Sequence, residues 1–196
     1  MATRHENQQQ TRATLLRIGE EEVRRVGIYK ASLRGIASKA GFTLGAFYSN
    51  FPSRDAFLLE IFAGIMDRVF KSLSDVIDVA VKHGQDDAIK DIEEWLTRSR
   101  NNITSTLLLE FSIYSAHNKE FRILFQPYLK NLHKQIADSL ARLLKGLGRS
   151  SSFPNDVIAS GFFALWQGLT LDAANDFTNA DKSLVLWLRM LLSNSK

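Results

Sequence analysis

Between Ser32 and Arg54 the chain reads SLRGIASKAGFTLGAFYSNFPSR, and its polar groups suit recognition better than bond-breaking. Leu44, Gly45, Ala46, Tyr48, Ser49 and Asn50 are small or polar with no obvious core role, while Phe47 and Phe51 share the opposite face. A helix of about two turns is not stable alone, because nucleation costs more than so few hydrogen bonds return. The two phenylalanines must therefore hold it against its neighbours. A short helix anchored from behind, with a small hydrogen-bonding front, has the shape for insertion into the DNA major groove. There Leu44 and Ala46 favour a thymine methyl, and Ser49 and Asn50 are candidate readers of base edges. Gly45 either lets the backbone approach the duplex or meets a steric need of the turn. Arg34 meets either a guanine edge bidentately or a phosphate.

Other chemistries lack their residues. The chain has no cysteine, which removes disulfides and thiolate metal sites and fits a reducing cytoplasm. Histidines 5, 83, 117 and 133 have no metal-ligand spacing, since two histidines four apart on one helix or a nearby carboxylate pair would be needed. No nucleophile elbow, P-loop or dinucleotide fingerprint is present. The expectation is a protein without catalytic residues, metal or cofactor.

Local signals say how the recognition segment is built. Ser32 is an N-cap, Ile36, Ala37 and Ala40 repeat at helical spacing, and Gly41 ends the helix where positive φ is needed. Thr43 caps the next helix, Leu44 to Phe51, which Pro52 stops. Ser53 caps a third, with Asp55 suited to its positive end. Residues 11 to 26 form a preceding helix through Leu16, Gly19, Val23 and Val26, and Gly19 implies close packing. Residues 1 to 10 read as a mobile polar arm, without the apolar run of a signal peptide. Residues 1 to 55 hold nine basic and five acidic side chains, so the whole net charge of +4 sits there. That asymmetry suits a nucleic-acid module joined to a neutral partner domain.

Gly27, Ser32, Ile36, Ala37, Ala40-Gly41-Phe42-Thr43, Gly45, Phe47-Tyr48, Phe51-Pro52-Ser53 and Arg54-Asp55 together resemble the N-terminal DNA-binding domain of the TetR family of transcriptional regulators, over residues 12 to 60. The resemblance implies that Thr43 and Tyr48 bind backbone phosphates, that Arg54 does so from the next helix, and that Ser32 belongs to the DNA-facing set. At Glu22 the sequence departs from the family, where a large apolar residue is more common.

The remainder reads as helical throughout, so the fold class is all-α: a helix-turn-helix domain over 11–55 (motif about 32–51), then a helical effector-binding and dimerisation domain over 56–196. A long helix starts near Arg54. Others cover 86–100, 103–116, 119–145 with a kink expected at Pro127, 155–175 and 181–193. Phe62, Met66, Phe111, Tyr114, Phe125, Tyr128, Phe162 and Trp166 either line an apolar pocket between helices or pack as core. Gln126 and Gln167 either orient a ligand or point to solvent. Gly161, Ala164 and Gly168 form a small-residue strip, and Leu184, Leu188 and Leu191 an apolar one; the two either build a four-helix dimer interface or cap their own domain. No run of about 18 apolar residues suggests a membrane span.

These features define the expectation: a cytoplasmic, homodimeric repressor on a near-palindromic double-stranded DNA operator, released by a small apolar or aromatic effector. The alternative is a helical small-molecule-binding protein or enzyme with an incidental basic N-terminus. Salt-dependent, sequence-specific DNA binding separates the two.

Overall fold

A computed structural model describes residues 3–100, 103–175 and 180–193. Regular structure in them is helical: α1 (Arg4–Val26), α2 (Leu33–Lys39), α3 (Leu44–Tyr48), α4 (Arg54–His83), α5 (Gln85–Arg100), α6 (Ile103–His117), α7 (Lys119–Gly146), α8 (Asn155–Ala174) and α9 (Ala180–Ser193). The helix over residues 4–10 replaces the expected arm. Its cause is local: the Thr3 side chain accepts the Glu6 amide and the Glu6 carboxylate accepts the Thr3 amide, a reciprocal capping box.

The chain forms two compact units. One joins Met1–Ile65 to Glu110–Phe125, and the other joins Met66–Leu109 to Gln126–Lys196. The first unit thus runs ten residues past position 55 and takes back part of α6 and α7. The reason is aromatic packing. Phe47, Phe51 and Phe57 form a triangle with ring centroids 4.8–5.3 Å apart, all fully buried. Phe62 then packs on Phe111 at 5.1 Å and on Phe125 at 5.0 Å, and Tyr114 on Phe121 at 4.6 Å. Buried aromatic pairs of this kind add roughly 0.5–1.5 kcal/mol beyond their area. Gly19 is required for this core, because a Cβ there would collide with the Phe57 ring.

The second unit packs Ile77, Ala80, Ile92, Leu96, Leu143, Leu144, Leu169, Leu184 and Leu188 into one cluster. Pro127 lies inside α7, where it denies a donor to the carbonyl of Ile123, a 63% exposed residue that water can serve. α8 is long and apolar enough to cross a membrane by length and composition alone, although Asn155, Asp156, Ser160, Gln167, Thr170 and Asp172 interrupt its apolar residues. Ile158, Ala159, Phe163 and Leu169 bury one side of it within its own unit. Its other side carries Gly161, Ala164 and Gly168, all exposed.

Candidate nucleic-acid interface and ligand cavity

The recognition segment folds through its own caps. Ser32 Oγ accepts the Gly35 amide at 3.4 Å, and Thr43 Oγ1 accepts the Ala46 amide at 3.1 Å. Gly41 joins the two helices at φ 79°, a left-handed conformation that other residues resist. Five residues of α3 suffice because Phe47 is fully buried beneath them. Thr43, Gly45 and Ser49 are exposed, Leu44 and Ala46 half-buried, and Tyr48 is 53% exposed with its ring edge on Phe47. The Ser49 hydroxyl donates to the Ala46 carbonyl at 2.9 Å, leaving lone pairs outward.

Two expected DNA contacts are placed elsewhere. Asn50 is half-buried: its Nδ2 donates to the Ala46 carbonyl at 2.8 Å, and its Oδ1 is buried without a partner. The Asn50 carbonyl accepts from Arg12, whose guanidinium also pairs with Glu60 and lies 4.3 Å over the Phe51 ring. Asn50 therefore closes the helix end instead of presenting its amide to a base. Arg54 is also turned inward. It donates to the Ile28 carbonyl and, at 3.5 Å, to the Tyr114 hydroxyl, and it sits 4.0 Å from Asp55. Tyr114 in turn donates to Asp55 at 3.2 Å, and burial, followed by the Asp55 charge, pushes its pKa up.

Arg12 and Glu110 are structural anchors that sequence patterning does not single out. The Ile28 amide donates to Glu110 Oε2 at 2.7 Å, directly after Gly27. Gly27 has φ 80°, and a Cβ there would stand 2.8 Å from Glu110 Oε1. The signal for Glu110 was a lone acid within LLLEFSIY. Glu22 has a physical role too. It pairs with Arg25 at 2.6 Å and with Lys39, joining α1 to α2, and these two cations hold its pKa at about 2. A large apolar residue at that position would give up this bridge.

Charge at the surface is correspondingly selective. Arg17, Arg24, Arg25, Lys39, Arg12 and Arg54 each have a carboxylate partner. Lys30 and Arg34 are exposed, as are Thr43 and Tyr48 in the recognition segment.

The second unit holds a cavity of about 170 Å³. Met66, Phe162 and Trp166 line it, joined by Trp95 and Trp187, which the sequence pattern does not distinguish from core. Phe62, Phe111, Tyr114 and Phe125 pack with one another in the first unit and are not in the lining, nor is Tyr128. On α9, Leu184 and Leu188 are buried in their own unit, so they present no face to a partner. The exposed apolar residues there are Leu186 and Met190, and Leu191 is half-buried.

This all-α chain carries its capped pair of short helices in a helix-turn-helix arrangement. Residues 15–61 match the family described as bacterial regulatory proteins, tetR family. No curated protein matches. Solved structures do. A TetR-family transcriptional regulator from Rhodococcus sp. superposes with TM-score 0.74 at 18% identity, covering 93% of this chain and 98% of that one. NemR of E. coli in its reduced form gives 0.69 at 16%, over 93% and 97%. A TetR transcription regulator from Haloarcula marismortui ATCC 43049 gives 0.68 at 12%, over 96% and 100%. Residues 15–61 are thus similar to the DNA-binding segment of that family, and the chain shares the fold of these solved regulators.

Proposed function

We propose that this protein is a DNA-binding, homodimeric repressor that a small molecule in the cavity releases from a near-palindromic operator in the cytoplasm. One observation carries the release: α6 is a single helix with a role in each unit. Its Thr104, Ser105 and Leu108 line the cavity, and its Glu110 and Tyr114 bond to the turn after α1 and to the start of α4. A ligand that favours one setting of α6 acts on the same helix that holds Ile28. Release follows only if the ligand binds the two settings with different affinity.

On α8, Val157, Gly161, Ala164, Gly168 and Leu171 follow a three-four spacing and are all exposed, with open space at both glycines. That spacing suits close helix contact with a second copy, and Leu186 and Met190 of α9 supply larger apolar groups. In the dimer, the two recognition helices would read half-sites about one helical turn, ~34 Å, apart or a multiple of it.

Sequencing DNA that co-purifies with the protein would yield the operator, and footprinting on it would test the interface. Tyr48→Phe should weaken matched and mismatched sites alike, whereas Arg34→Ala should relax specificity by roughly 1–3 kcal/mol if it reads a guanine. Unchanged binding in both variants would contradict the assignment.

A further inference from the structure

The cavity's lining says more than that it is apolar. Among its lining residues none is ionisable, and the polar ones are Ser99, Thr104, Ser105 and Ser139. His133 packs on one lining ring, 4.8 Å from Phe163 between ring centroids, and is not itself in the lining; burial pushes its pKa down. A carboxylate, phosphate or ammonium group set against this lining would exchange water for apolar surface and find no opposite charge there.

The size is restrictive. An apolar cavity of roughly 150 Å³ holds a benzene, and this one is about 170 Å³. It suits one aromatic ring with a short apolar substituent, or two fused rings. The chain's three tryptophans, Trp95, Trp166 and Trp187, all line it. Phe162 lies 5.9 Å from Trp166 and 5.6 Å from Trp187, a surface on which a flat ring packs well.

One polar group of the lining, Ser105, has a direction. Ser105 is 4% exposed, and its hydroxyl donates to the Ser99 carbonyl at 3.1 Å. Its proton is spent, so toward the cavity its oxygen offers lone pairs only. The Trp95 indole N–H is spent as well, on Ser72 Oγ at 3.1 Å. An acceptor that can give no proton is matched by a ligand O–H or N–H.

We infer that the cavity takes a small, uncharged aromatic molecule carrying one hydrogen-bond donor, of the phenol class, with the donor set against Ser105. This deepens the effector reading above and rests on the cavity being the effector site. Because every tryptophan lines the cavity, intrinsic tryptophan emission of the full chain reports its occupancy without reference to DNA.

The test is a titration at neutral pH with three probes of matched shape: 4-propylphenol, propylbenzene and 4-propylbenzoate. The phenol should change the emission saturably. Propylbenzene should bind about tenfold more weakly, and the benzoate at least about a hundredfold more weakly. Ser105→Ala should erase the preference for phenol over propylbenzene while leaving propylbenzene binding unchanged. Ala159→Leu, which fills the cavity from a fully buried position, should abolish all three responses; circular dichroism checks that the helices persist. Benzoate binding as tight as phenol, or silence toward both neutral probes, would overturn the inference. A phenol that binds without altering operator affinity would support it and contradict release, so the two readings fail separately.

Discussion

Removing the Glu110 carboxylate should loosen the turn after α1. Ile28 is fully buried, and its amide has the carboxylate as acceptor at 2.7 Å. A hydrogen bond to a charged group contributes about 1.5–3 kcal/mol, and leaving a buried donor unmet costs a similar amount. Glu110→Ala should therefore raise the opening frequency of this turn by about 2 kcal/mol, a factor of roughly 30. Glu110→Gln keeps a neutral acceptor and should lose about half of that. Hydrogen exchange at the Ile28 amide reads the effect directly and does not depend on the tryptophans, which all lie in the other unit. Operator affinity should fall in the same order, Ala below Gln below wild type. Ile28 exchange unchanged within twofold in Glu110→Ala would refute the assignment of Glu110 as an anchor, and with it the part given to α6.

Three further outcomes are expected. Arg12→Ala should destabilise the first unit by about 2 kcal/mol, measured by urea unfolding, since it removes a charged donor to the Asn50 carbonyl and a cation over Phe51. The partly exposed Arg12–Glu60 pair adds little to that figure. Glu22 has a folded pKa of about 2 against an ordinary 4.5, so its stabilising effect is present above pH 4.5 and is lost as pH falls toward 2. Glu22→Gln should flatten the acid limb of a stability–pH curve in that window. Gly168→Asp places a charge on the exposed strip of α8 and should shift sedimentation from dimer to monomer at micromolar concentration, while helicity is retained.

The helix-turn-helix was legible because its determinants are local. Two caps, a positive-φ glycine and a stopping proline lie within a short span, and each acts on its own neighbours. The capping box at Thr3 and Glu6 is equally local, and its spacing shows that a polar run need not be a loose arm. What was not legible depends on distant partners. Arg54 has a side chain that fits a DNA contact, yet Ile28 and Tyr114 turn it inward, and no spacing within the motif announces that; Asn50 differs, since the Ala46 carbonyl one turn earlier holds its amide. The aromatic residues divide between two units because Glu110–Phe125 returns to the first, a pairing across more than forty residues. α9 is apolar on two faces, so periodicity alone does not tell the buried Leu184 and Leu188 from the exposed Leu186 and Met190.

Coupling between cavity and DNA is the claim on which the functional reading stands. Fluorescence anisotropy of labelled operator should be titrated with protein, with and without saturating 4-propylphenol. A coupling of roughly 1–3 kcal/mol would weaken operator binding by about 5–150-fold. Reciprocity then requires saturating operator to weaken the phenol by the same factor, read in tryptophan emission. Met66→Trp, which fills the cavity beside α4, should bind operator as wild type does and ignore the phenol. Equal operator affinity with and without a phenol shown to occupy the cavity would contradict release by that site.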